Sequence, residues 1–233
     1  MPVILSQRNP ELKEIMDDPA CSREGLNRTY RAFGRMNRLL SQWDRIYKKE
    51  IRPVLLKSAH NFTLLDIGTG GGDVPRLLSQ LAQKDNLSLQ ITAIDPDKRA
   101  IRFAKSNSDL QNIEYLHTDS GELAGNKSRF DFVISNHLLH HLKEDEISQL
   151  CRDAEKLASR KVLFNDIERG DLAWIFFSAV SPLLYRNTFI PTDGPLSIRR
   201  SFTKSELQEL LPTGWIVNRL FPYRLIATYS AEQ

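Results

Sequence analysis

The sequence predicts an α/β protein. Its core is a doubly wound, seven-stranded sheet whose last strand runs antiparallel, with a helical cap before it and a helical insertion after the fifth strand. Three observations predict this. Short apolar runs alternate with helical periodicity from Leu64 to Asn165. A turn dense in glycine joins the first strand to the helix after it. Asp66, Asp95, Asp119, Asn136 and Asn165 each close an apolar run, so right-handed crossovers would gather them at one edge of the sheet.

Residues 1–58 read as the cap and 59–233 as the main domain. From Ser22, apolar residues including Leu26, Tyr30, Phe33, Met36, Leu40, Trp43 and Tyr47 recur at helical spacing, interleaved with arginine and lysine. Two readings stand. The helices pack on the core with their basic residues solvated, or they close a cleft lined by Tyr30, Phe33, Trp43 and Tyr47, with one arginine facing a ligand carboxylate. The core then runs strand (Leu64 to Ile67), helix (Val74 to Ala82), strand (Leu89 to Asp95), helix (Lys98 to Ser106) and short strand (Ile113 to His117). The strand Phe130 to Ser135, a helical stretch holding His141, a helix from Glu144 to Leu157 and a fifth strand, Lys161 to Asn165, follow.

Residues 169–202 are too long for an ordinary connection and form the insertion. Trp174 to Tyr185 make a very apolar helix, and Pro191, Gly194 and Pro195 suggest a loop after it. The helix suits burial on the sheet, a homodimer contact, a lid over an apolar acceptor pocket, or contact with a membrane surface. Thr203 and Glu206 have the spacing of a capping box. Trp215 to Leu220 and Leu225 to Tyr229 close the sheet as a hairpin.

Composition bounds the function. The 233 residues carry 32 basic and 29 acidic side chains, a balance that does not point to nucleic acid. Cys21 and Cys151 lie far apart and give no metal or redox spacing, so a reducing, cytoplasmic location is expected. The longest apolar stretch is too short to span a bilayer, so stable membrane insertion is not expected.

The segment Asn61 to Asp73, NFTLLDIGTGGGD, organises the chain. Strand, glycine turn and helix form the first half of a nucleotide-binding βαβ unit. Asp95 lies 23 residues after Gly72, near the offset of a ribose-binding acid. A dinucleotide is a poor fit, because the spacing is Gly68-x-Gly70-x-Gly72 and Asp66 would repel a pyrophosphate. An acid there suits a ligand carrying positive charge.

LLDIGTGGGD, AIDPD, HTDSGEL and FDFVISNHLLHHL together resemble the class I S-adenosylmethionine-dependent methyltransferases, a Rossmann-like fold. The bacterial small-molecule members related to quinone and polyketide modification are the most similar in overall pattern. The resemblance implies S-adenosyl-L-methionine as cofactor. Asp66, Gly68, Thr69, Gly70 and Gly72 would hold its amino acid part, and Asp95 with Pro96 its ribose. Asp119 and Ser120 would lie near the adenine, and Asn136 next to the methyl group.

A hydroxylated acceptor must lose a proton during transfer. His137, His140 and His141, spaced i, i+3, i+4, would share one helical face beyond the strand carrying Asn136. His140 and His141 are the candidate bases. Metal binding and simple helix packing are the other readings, and no metal is assigned. Asp166, Glu168 and Arg169 are secondary candidates for orienting the acceptor, with a solvated loop as the plainer reading. The expected activity is methyl transfer to a small, largely apolar phenol, quinone or polyketide-like acceptor, on oxygen before carbon. A cofactor-binding protein without turnover and a nucleic-acid methyltransferase are the alternatives; the second lacks a stacking aromatic after Asn136.

Overall fold

The computed structural model describes residues 2–57 and 60–231, so the boundary expected at 58/59 lies outside the described residues. One seven-stranded sheet, in the order β3-β2-β1-β4-β5-β7-β6, forms the core. Its strands are β1 (Phe62–Ile67), β2 (Leu89–Ile94), β3 (Ile113–Leu116), β4 (Phe130–Asn136), β5 (Ala158–Ile167), β6 (Ile216–Leu220) and β7 (Arg224–Ser230). Pairing is parallel except along β7, which is antiparallel to both β5 and β6.

Alternation along the central strands explains the two-layered core. Leu64, Phe132 and Ile134 face one side and pack with Trp43, Leu55 and Leu78. Leu65, Val133 and Val162 face the other and pack with Ile147, Leu157 and Trp215. Both faces are covered, so these strands read as apolar runs rather than alternating ones. Truncating a residue such as Leu65 to alanine would cost roughly 2–5 kcal/mol.

Helices α4 (Asp73–Lys84), α5 (Lys98–Ser106) and α7 (Glu144–Leu157) connect the strands as the periodicity predicts, and a short helix not read from the sequence, α6 (Ser120–Gly125), links β3 to β4. Before the sheet come α1 (Arg23–Leu40), capped by Ser22, then α2 (Trp43–Ile46), a π-helical turn (Tyr47–Ile51) and α3 (Arg52–Leu55). This region divides between the two readings. Trp43 and Tyr47 are buried in the main core and line no cleft, while Tyr30 and Phe33 of α1 do.

The insertion departs from expectation. After α8 (Asp171–Leu184) comes a second helix, α9 (Ile190–Arg200), where Pro191, Gly194 and Pro195 suggested a loop. Pro191 falls in the first turn, where its missing N–H is not needed. Pro195 loses one intrahelical bond, and buried Asp193, Ser197, Ile198 and Arg200 hold the helix in place. Helix α10 (Lys204–Leu210) begins with the expected capping box. Among the described residues no helix is long and apolar enough to cross a membrane.

Candidate functional site

A cleft of about 880 Å³ opens at the carboxyl ends of the central strands. Asp66, Gly68, Thr69, Gly70, Asp95, Pro96, Asn136, His140 and His141 all line it. Gly72, Asp119 and Ser120 do not. Gly72 turns the chain into α4 with a left-handed φ of 73°. Asp119 caps α6 by accepting the Glu122 backbone N–H, and the Ser120 hydroxyl donates to Asp153. Asp119 is thus engaged locally at the start of α6, and Ser120 by α7.

The cleft has two ends. At the first, Gly68, Gly70 and Gly72 adopt positive φ, and a Cβ on Gly71 would meet Tyr30 of α1 at 2.9 Å. The turn therefore closes tightly beneath an aromatic ring. Asp95 accepts Gly70 N–H on one oxygen and Asp97 N–H on the other, both at 2.8 Å, which fixes the carboxylate and leaves lone pairs for a ligand. Asp66 is buried with one oxygen unpartnered. Burial pushes its carboxyl up to about 7. A buried orphan carboxylate beside a glycine turn suits a cationic amino group.

At the second end, the 3₁₀ turn Leu139–His141 replaces the expected helix, so the three histidines do not share a face. His137 has φ 60° and hydrogen-bonds Arg224 through Nε2; burial and that guanidinium hold it neutral. His140 is buried, and Asp166 grips it twice: one oxygen accepts its backbone N–H at 3.0 Å, the other lies 2.7 Å from Nδ1. Burial disfavours the Asp166 carboxylate, but the His140 interactions outweigh it and hold the acid well below its usual range. His140 Nε2 has no partner and lies 3.8 Å from Glu14. The His141 ring stacks at 4.2 Å on that of His140 and lies 3.3 Å from Asp17.

Sequence reasoning missed several residues here. Glu14 is buried, takes the Ser197 hydroxyl at 2.9 Å, and its pKa is raised by burial. Arg200 bridges Glu14 and Asp17. Backbone N–H groups of Ile15 and Met16 bind Asp193 of α9, and Arg8 reaches the carbonyls of His140 and Leu142. Residues 5–17 thus form a strap across the second end. The arginines at the cleft are Arg99, Arg200 and Arg224; none comes from α1. Arg224, pushed down to about 10 by burial, donates to Asn136 and Asn165. Trp43 Nε1 also donates to Asn136, so that amide's oxygen is held and its N–H₂ remains for a ligand.

The secondary candidates are not a solvated loop. Asp166 and Arg169 are buried, and Arg169 forks onto Glu206 at 2.6 and 2.8 Å. Glu168 pairs with Arg219. Asp166 holds His140 of the cleft, and the Glu168 backbone N–H donates to the carbonyl of Tyr223, another cleft residue, at 2.8 Å. Leu172, Phe176 and Phe177 of α8 with Ile190 and Ile198 of α9 make the cleft's apolar wall.

Residues 64–160 match the family model described as a methyltransferase domain. Among curated proteins, the ribosomal protein L11 methyltransferase of Caldicellulosiruptor bescii is 29% identical over 43% of this chain and 30% of its own length. The ubiquinone biosynthesis O-methyltransferase of Bartonella quintana is 29% identical over 52% of this chain and 48% of its own. The chain thus spans half or less of these relatives. Among solved structures, the plantazolicin methyltransferase BpumL with SAH superposes at TM-score 0.62 with 14% identity, covering 91% of this chain and 95% of that one. Magnesium protoporphyrin IX methyltransferase from Synechocystis PCC 6803 with bound SAM gives 0.56 and 13%, covering 92% and 100%. The resemblance read from the sequence is borne out by the matched domain and by the fold.

Proposed function

Because the chain carries a methyltransferase domain in the class I, S-adenosylmethionine-dependent fold, we propose that it transfers a methyl group from S-adenosylmethionine to a small, largely apolar, hydroxylated acceptor. The orphan Asp66 oxygen, the fixed Asp95 carboxylate and the glycine turn fit the cofactor's ammonium and ribose. When bound, the sulfonium supplies an electrophilic methyl.

The observation that carries the reading is His140. Its Nδ1 is held by Asp166, and its buried Nε2 is free to take a proton at the polar end of an apolar cleft. Asp166 sets the tautomer and stabilises the imidazolium, so a phenol or enol hydroxyl at Nε2 loses its proton as its oxygen attacks. An activated carbon beside such a hydroxyl would be served by the same base; the direct route favours oxygen. His141, tied to Asp17, flanks the acceptor. The wall of α8 and α9 excludes water from the aligned partners.

The test is two-step. S-adenosylmethionine and its demethylated product are titrated calorimetrically into the protein. The loaded protein is then offered phenols, hydroquinones and enolised polyketide-like compounds, with transfer read by mass. Transfer to one class supports the proposal. Binding without transfer to any would leave a cofactor-binding protein instead, and no binding would overturn both.

A further inference from the structure

Helix α8 presents its apolar side chains outward. Between Asp171 and its end at Leu184 it carries no charged residue, and its one buried residue is Ser181. Leu172, Ile175, Phe176, Ala179 and Leu183 recur at i, i+3, i+4, i+7 and i+11, which is one stripe. The stripe is open: Leu172 is 69% exposed, Phe176 68% and Leu183 66%. Leu172 and Phe176 also line the cleft, so it runs into the entrance. Other exposed apolar groups adjoin residues of the cleft or of α8. Leu39 adjoins Leu40 of the cleft lining, Phe221 lies two residues before Tyr223, and Val3 and Ile4 are tied by their N–H groups to Asp171. Exposed apolar surface of this extent marks an interaction site.

The charges near the stripe that have no partner are basic. Arg186, three residues beyond Leu183, is exposed, as are Arg35 and Arg38 beside Leu39; none forms an ion pair among the described residues. Lys204 lines a second cavity that shares Leu172 and Tyr223 with the entrance; Arg219, also in its lining, is neutralised by Glu168. The neighbouring acids are engaged: Asp171 by the N–H groups of Val3, Ile4 and Leu5, Glu24 by Arg28, Glu168 by Arg219.

We propose that the α8 stripe docks in the plane of an anionic lipid surface and that the acceptor enters the cleft from that surface. This rests on the reading of the cleft as an acceptor site. The basic rim matches anionic headgroups, and the stripe matches the acyl boundary beneath them. The position of the entrance favours lipid over a folded partner. A second copy seated on Leu172 and Phe176 would close the way in, whereas a fluid surface covers the same side chains and leaves an apolar path open.

Sedimentation of the full chain with vesicles tests this, using phosphatidylcholine with and without phosphatidylglycerol. The variants are Ile175→Ser with Leu183→Ser, and Arg186→Glu; none of these residues lines the cleft. Wild type should bind the phosphatidylglycerol vesicles and release with salt, each variant should bind about tenfold more weakly, and calorimetric binding of S-adenosylmethionine should be unchanged in all. Failure of wild type to sediment, or variants that bind as wild type does, overturns the proposal. So does a wild-type dimer in solution that the double substitution dissociates. The calorimetry stands apart from the vesicles, so a failed cofactor reading and a failed docking reading are told apart.

Discussion

The two ends of the cleft are built by different rules. The first end, around Gly68 to Gly72 and Asp95, is local: a turn, the strand beside it and the backbone N–H groups of both. The second end is assembled from four distant places: the strap with Glu14, the turn with His140, Asp166 on β5 and Arg200 on α9. The first is fixed by backbone conformation and tolerates few side chains. The second is a network of side chains, and removing one member strands the others.

This contrast can be broken or sharpened by experiment. The largest effect belongs to the second end. His140→Ala should lower methyl transfer by roughly 10²–10⁴-fold, as for a lost general base, with calorimetric cofactor binding unchanged. A fall in binding matching the fall in rate would show the ends are not separable. Next, Asp95→Ala should weaken binding of S-adenosylmethionine by roughly 1.5–3 kcal/mol, on the order of 10- to 100-fold, without a change in the histidine network. Retained affinity would remove Asp95 from the site.

The third prediction is a pH dependence of the first end. Folding raises the Asp66 pKa from 3.8 to about 7, so the folded chain holds this proton more tightly than the unfolded one. Native stability, compared with Asp66→Asn, should therefore fall as pH rises across that window. A cationic ligand draws the charged form, so cofactor affinity should rise toward neutrality, by up to about tenfold per pH unit, and level off above it. A flat profile between mildly acidic and neutral pH would detach the ammonium from Asp66. The smallest effect is remote from both ends: Thr203→Ala removes the α10 cap and should cost about 1 kcal/mol in thermal unfolding, leaving cofactor affinity and rate alone.

The same division explains what could be read from the sequence. Strands and the glycine turn are encoded by neighbours, so β1 to β5 and the placement of Asp66 and Asp95 at one cleft are legible there. Asp119 is ambiguous in the sequence, because an acid opening a short helix looks alike whether it binds a ligand or caps the helix; here it caps α6. His137, His140 and His141 have helical spacing, but a left-handed residue and a 3₁₀ turn break that face. Glu14 had no signal, since a lone glutamate before the first helix is ordinary until Ser197 and Arg200 are brought to it. Proline spacing hid α9 because one proline sits where helices accept it.

The strap also dictates an order of assembly. Gly70 finds Asp95 only 25 residues along the chain, so the turn can close soon after the second strand has left the ribosome. Glu14 is synthesised early, yet its Ser197 partner lies 183 residues further on. Long-range pairings of this kind form late. During synthesis the chain can therefore close the glycine end of the cleft well before the histidine end.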